Sequence, residues 1–333
     1  MKKITKTLTT IVSAAILAIG VAVTAHAETY RVTSIAPGMS PFVVNTAIAK
    51  LVSKHLPDVQ MQVRATGAAT RHAVEAGQDK VDFFFGSPTI NWLMDKNVGP
   101  FKDMANAPQL EDNLGMMFSY EIGPYHYVVN DDSDINSLTD LKGKKVFIGP
   151  PGGAARGVVA RNIKAITGYT EDDMDVQNFG FDAAIQAFQD GKIDLVVLPT
   201  NVPSPSVQQF SLTKKIRLLD VPVDQLKISP DGSTTFVKVP AGAYGVNQMN
   251  TSAARTHGAL VNFSARMDLD EEVVYQVTKT IWENLSELTS AAQWMANTIT
   301  LENALQIIPN RLHPGAERYY REIGLDIPAV NTY

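Results

Sequence analysis

The sequence contains no cysteine in its 333 residues. That excludes disulfides, thiol nucleophiles and thiolate metal sites together. Charged residues are sparse at 19%, and 29 Lys and Arg face 34 Asp and Glu. This acidic balance without a basic cluster excludes the usual footprint of a nucleic-acid partner. The glycine stretch GPPGGAARG at 149–157 lacks the Lys-Ser/Thr that closes a phosphate-binding loop, and it does not spell G-x-G-x-x-G, which argues against nucleotides. His55, His72, His126, His257 and His313 form neither an H-E-x-x-H motif nor an i, i+4 pair. A helical zinc site is therefore not expected, and His126 and His313 read as structural hydrogen-bonding groups. Asp132, Asp134 and Asn136 begin like a calcium loop, but Ser137 replaces its glycine and Gly143 stands where its bidentate glutamate belongs, so a turn and helix cap is expected. The acidic group Glu171, Asp172, Asp173 and Asp175 reads as a solvated loop. No G-x-S-x-G is present. These absences lead to an expectation of no metal, no cofactor and no catalytic residue.

Long apolar runs are also missing, with one exception. Lys2, Lys3 and Lys6 precede an apolar stretch from Ile11 to Val23, and Ala25-His26-Ala27 follows it. The stretch is shorter than the ~20 residues that span a bilayer. The pattern therefore predicts a cleaved secretory signal over 1–27 and a periplasmic product without direct membrane insertion. Loss of the signal's three lysines from a chain of charge −5 would leave a charge of −8 on residues 28–333.

What is present is alternation. Short β-rich apolar runs at 30–34, 60–65, 81–85, 125–129, 145–148, 176–179, 195–198 and 216–219 are separated by helical patterns such as 41–55 and 181–190. This is the signature of an α/β fold with largely parallel strands. Two segments share a design. Each runs from a strand through a glycine loop, a helix and a second strand to an aspartate, Asp82 or Asp194, that opens an apolar strand ending in a polar turn. Gly38 and Ser87 are 49 positions apart, and Gly152 and Thr200 are 48 apart.

The expected fold is a two-lobe periplasmic-binding-protein fold of type II, each lobe a mixed, mainly parallel sheet flanked by helices. The first lobe is expected to comprise 28–122 and the returning 239–333, the second 123–238, with two crossing segments as hinge. A long helix is expected from Asp268 to Leu288, capped by Asp268 or Asp270 and packed on the first lobe. Open α/β sheets bind ligands beyond the carboxyl ends of their strands, where helix N-termini present unpaired N–H groups. In the first lobe those ends carry Gly38, Met39, Ser40, Phe42, Thr66, Gly67, Ala68, Arg71 and Ser87. In the second they carry Gly152, Gly153, Ala154, Ala155, Arg156, Phe179, Thr200 and Asn201. Arg71 and Arg156 fall in the first turn of a helix, one per lobe, where a guanidinium can grip a carboxylate.

The segments TAIAKLVSKHLPDVQMQVRATGA, LKGKKVFIGPPGG, FQDGKIDLVVLPTNVPSPSV, KVPAGAYG, DEEVVYQVTKTIWENL and LHPGAERYYREIG, in this order, resemble the TAXI class of solute-binding receptors of TRAP transporters. The resemblance implies the two-lobe hinged fold and delivery of an organic acid, often an amino or oxo dicarboxylate, to permease subunits driven by an ion gradient. The sequence departs from the family in its loops. Pro41, Phe42 and Val43 stand at a usual Tyr-Tyr-Pro, and Gly153, Ala154 and Ala155 replace hydroxyl-bearing residues. The expected function is capture of a small organic anion between the lobes, with Arg71 and Arg156 neutralising it. The alternatives are a ligand-sensing subunit for a membrane kinase, the receptor of an ATP-driven importer, or an enzyme on the same fold.

Overall fold

The computed structural model describes residues 27–330. The expected signal lies outside the described residues except for Ala27. The first part of the chain forms β1 (Glu28–Ser34), α1 (Ser40–His55), β2 (Val59–Ala65), α2 (Ala69–Gly77), β3 (Phe83–Gly86), α3 (Pro88–Asp95), α4 (Ala107–Glu111) and β4 (Leu114–Glu121). The middle part forms β5 (Tyr125–Asn130), β6 (Lys145–Phe147), α5 (Ala154–Thr167), β7 (Asp175–Val176), α6 (Phe181–Gln189), β8 (Leu195–Pro199), α7 (Pro205–Thr213) and β9 (Ile216–Leu218). Then follow β10 (Thr234–Val239), β11 (Ala254–Arg266), α8 (Glu271–Glu283), α9 (Leu285–Thr289), α10 (Met295–Thr298), α11 (Leu301–Ala304) and α12 (Pro314–Glu322).

Two separate sheets result. One has the order β10-β11-β3-β1-β2 with β4 also on β11, and the other the order β7-β6-β8-β5-β9. In each, one strand, β1 or β6, sits between two parallel partners, and one strand, β11 or β5, runs antiparallel to the rest. This is the two-lobe, mixed, mainly parallel α/β architecture expected. Helices cover both faces, so β3 and β8, FFFG and LVVLP, are buried along their whole length.

The paired aspartates show why the two halves look alike. Asp82 accepts from the Arg31 backbone N–H at 2.7 Å, and Asp194 accepts from the Lys145 N–H at 2.8 Å. Each carboxylate thus clasps the strand, β1 or β6, that lies between parallel partners in its own sheet. Asp82 also holds the Arg31 and Arg266 guanidinium groups, and these hydrogen bonds keep its carboxyl below the usual range against the opposing effect of burial.

The two lobes meet where β4 passes into β5 and along the β10–β11 ribbon. Gly123 turns the first crossing at φ +95°, and a Cβ there would lie 2.6 Å from the Asn201 Cα. β10 pairs within the first sheet, whereas the segment after it returns to the second, with Met249 N–H bonded to the Ile216 carbonyl at 2.9 Å. β11 then carries the chain back. Its Arg255 carbonyl accepts from Val221 at 2.9 Å, while its second half pairs with β3 and β4.

The C-terminal helices pack on the first lobe, as expected. Trp282 donates to the Tyr320 hydroxyl at 3.0 Å, which donates to the Met117 carbonyl at 2.8 Å, and the Trp282 ring meets Phe118 edge-on. The expected single helix 268–288 is instead two. Asp270 caps α8 by accepting from Val273, and Asn284, at φ −116° and ψ 30°, breaks the run before α9. β4, β10 and β11 were not legible as strands. In β11, Thr256, His257, Gly258, Asn262 and Ser264 interrupt the apolar alternation, and partners on both sides supply what the pattern lacks. The expected strand 176–179 is only β7, an edge pairing of two residues.

Candidate functional site

Helix N-termini from both lobes converge where the strand ends face each other. Side chains cap α3 through Ser87, α8 through Asp270, α11 through Thr300 and α12 through His313, whereas α4, α9 and α10 begin without a side-chain cap. At the interlobe face, α1, α2, α5 and α6 begin at Met39, Ala68, Gly153 and Gly180 with no side-chain cap. Their first N–H groups lack intrahelical partners by the geometry of the helix. The glycine loop needs its glycines. Gly149 sits at φ +125°, and a Cβ there would come within 2.6 Å of the Arg156 nitrogen.

A cavity of about 50 Å³ lies at this face. The first lobe and the crossing strands contribute Ile35, Phe85, Ile90, Ala259 and Val261, and the second contributes Pro150, Val158, Phe181 and Pro199. Among the described residues no charged side chain lines it. Its polar side chains are Ser87, Thr89 and Tyr125. The Ser87 hydroxyl caps Ile90 N–H at 3.2 Å, and Thr89 meets the Ser233 hydroxyl at 3.2 Å. Tyr125, only 5% exposed, stacks on His257 with ring centroids 4.2 Å apart, and His257 Nε2 meets the Tyr127 hydroxyl at 3.0 Å. Burial, reinforced by the nearby Arg161 charge, lowers His257 to about 3, so the ring is neutral at ordinary pH. Burial raises the Tyr125 hydroxyl, which stays protonated.

Thr89, Gly153, Ala154 and Val158 are shared with a second cavity of about 130 Å³, where Arg161 of α5 and the buried Asp231 lie. Arg161 donates to Ser229 at 3.2 Å, and its Nε is buried without a hydrogen-bond partner among the described residues. The lobes touch directly beside the first cavity, where the Thr70 hydroxyl on α2 donates to the Gly152 carbonyl of the glycine loop at 2.9 Å.

Of the residues singled out from sequence, Ala68, Ser87, Gly153, Ala154 and Ala155 line the cavity together. Ser40, Thr200 and Asn201 instead tie the crossing. Ser40 N–H donates to the Thr200 hydroxyl at 3.2 Å, and the Ser40 hydroxyl and Asn201 amide both donate to the Ile122 carbonyl. Thr66 binds His72, and Gly38, Met39, Phe42, Gly67, Gly152 and Phe179 do not line the cavity.

The arginines are placed differently from the expectation. Arg71 is exposed and bonded to Glu75 at 2.7 Å. Arg156 is held by Glu171 at 2.5 Å and by Asn178 at 2.7 Å. The Glu75 partner, four residues on, is the spacing at which helix side chains meet. Glu171 and Asn178 are distant in sequence and come to Arg156 only through the fold. The acidic loop is therefore not simply solvated, since Glu171 anchors the glycine loop's helix. Sequence reasoning missed Tyr125 as a wall, Arg161 and the whole β11 contribution. Arg161, five residues after Arg156, lies on a different face of α5, and nothing in the pattern marked it or β11.

The histidine and calcium-loop expectations agree with the geometry. His313 caps α12 by accepting from Gly315, and His126 meets the Pro124 carbonyl and the Tyr244 hydroxyl. Ser137 forms a capping box with Asp140. Among the described residues no group of three His, Asp or Glu side chains is placed to hold a metal ion, and no helix is long and apolar enough to cross a membrane.

Residues 36–324 match the model of the NMT1-like family. Among solved structures the chain is similar to a TRAP periplasmic solute binding protein of a Sulfitobacter species with bound β-D-galacturonate, at 13% identity over 91% of this chain and 89% of that one, TM-score 0.47. It is similar to a TRAP periplasmic solute binding protein of Ralstonia eutropha with bound (S)-2-acetolactate, at 12% identity over 91% and 87%, TM-score 0.45. It is also similar to the periplasmic aliphatic sulphonate binding protein SsuA of Escherichia coli, at 13% identity over 90% and 88%, TM-score 0.44.

Proposed function

The chain belongs to the NMT1-like family, and on that premise we propose that it is a periplasmic solute-binding receptor of the TAXI class. In this role it captures a small organic anion between its lobes and delivers it to TRAP permease subunits driven by an ion gradient. The observation that carries the proposal is the convergence of uncapped helix N-termini from both lobes on one interlobe cavity. Such termini favour a negative group, because their N–H donors and the helix dipole point the same way. The lobes, with crossings at 121–125 and along the β10–β11 ribbon, hinge about the cavity and close through Thr70 and Gly152. Arg71 and Arg156, whose guanidinium groups are engaged by carboxylates of their own lobes, are assigned to structure rather than to the ligand.

Binding proceeds without turnover. Mass spectrometry of small molecules released from protein purified without denaturation, followed by isothermal titration with the acid found, tests this. Recovery of an organic anion that rebinds unchanged is expected. Absence of any released or titratable organic anion, or its chemical conversion on incubation, would overturn it.

A further inference from the structure

The cavity's size and lining restrict the ligand more narrowly than the receptor proposal on which this step rests. We propose that the ligand is a short-chain aliphatic monocarboxylate, its carboxylate at the uncapped starts of α2 and α5 beside the Tyr125 hydroxyl, and its chain among Ile90, Val158, Phe181 and Val261. Three observations support it. At about 50 Å³ the cavity has room for roughly three to five water-sized groups, which matches an acid of about three to five carbons. A hexuronate or a longer dicarboxylate would have to extend into the adjoining cavity.

The second observation is charge. Among the described residues no charged side chain lines the cavity, and in the adjoining one Arg161 is accompanied by the buried Asp231. The formal charges of Arg161 and Asp231 sum to zero, so the helix termini remain as the attraction for one negative group. A second carboxylate lodged among Phe181, Ile90 and Val261 would lose its hydration with no charged partner in that lining. The third is Tyr125. It is 95% buried, lines the cavity, and its hydroxyl has no hydrogen-bond partner among the described residues. A hydroxyl on the wall of a cavity gives an entering carboxylate oxygen a charge-assisted hydrogen bond. Stacking on His257, itself fixed by Tyr127, holds the phenol in place.

The test is isothermal titration of the full receptor with propanoate, butanoate, 2-methylpropanoate and 2-oxobutanoate against succinate, glutarate, L-glutamate and D-galacturonate. At least one of the monocarboxylates is expected to bind tenfold or more tightly than every acid of the second group. A dicarboxylate, L-glutamate or the uronate binding as tightly as the best monocarboxylate overturns the inference while leaving the receptor proposal intact. No binding by any of these acids also overturns the inference, while the receptor proposal is decided by the released-ligand measurement. Tyr125→Phe is expected to weaken the best monocarboxylate about tenfold, as loss of one hydrogen bond to a charged group does. Val261→Ala, which enlarges the wall, is expected to shift the optimum toward a chain one carbon longer. Unchanged affinity in the first variant together with an unchanged optimum in the second, with folding checked by circular dichroism, refutes the placement.

Discussion

Replacing Thr70 by valine removes one hydroxyl and little else, since the two side chains have nearly the same shape. That hydroxyl donates across the lobe boundary to the Gly152 carbonyl at 2.9 Å. A neutral hydrogen bond of this kind contributes about 0.5–1.5 kcal/mol net, which is roughly a two- to thirteenfold change in the closed-to-open ratio. Gly152 is exposed, so its carbonyl takes water instead once the lobes part, and the larger cost of a stranded buried acceptor does not arise. Ligand affinity scales with the fraction of protein in the binding-competent state. Where the open form predominates without ligand, the whole factor enters the Kd. The expected outcome is weaker binding by about two- to tenfold, with a thermal midpoint close to that of the parent because neither lobe's core is touched. Small-angle scattering of the unliganded protein is expected to report a larger radius of gyration. Unchanged affinity together with unchanged scattering would refute the idea that this contact latches the lobes.

Arg156→Ala is expected to cost about 1 kcal/mol in urea unfolding, because the Glu171 pair is partly exposed and solvent screens it, while ligand affinity stays within twofold; a tenfold loss of affinity would return Arg156 to the site. Glu111 is buried between the Asn91 and Asn310 amides, at 2.6 and 2.8 Å, and burial pushes its carboxyl up to about 7. Its folded pKa exceeds the unfolded one, so the folded state binds more protons and stability falls as pH rises from about 4.5 to about 7, by about 3 kcal/mol at most. Unfolding measured at pH 5 and 8 checks the slope, and Glu111→Gln is expected to flatten it. Gly149→Ala is expected to destabilise by more than about 2 kcal/mol, since the Cβ meets the Arg156 backbone nitrogen at a positive φ. Gly157→Ala, on α5 with nothing within 4 Å, is expected to stabilise by about 0.5–1 kcal/mol; thermal melts separate the two.

The alternation of β1, β2, β3, β5, β6 and β8 with helices, the doubled design and the glycine loops were legible in the sequence because they rest on local rules. Buried parallel strands must be apolar runs, and tight turns require glycine. Asp82 and Asp194 betrayed the duplication because each serves the same backbone clasp in its own sheet. Even the fate of Arg71 was written locally, four residues before Glu75. Tertiary structure alone decided the rest. Glu171 reaches Arg156 from fifteen residues away, and β11 delivers Ala259 and Val261 to a wall whose other residues run from Ile35 to Pro199. Charge pairing and cavity lining depend on which distant segments meet in space. A cleft that the sequence marked only by loops and arginines therefore becomes, once folded, a small apolar chamber with a single phenol facing helix termini.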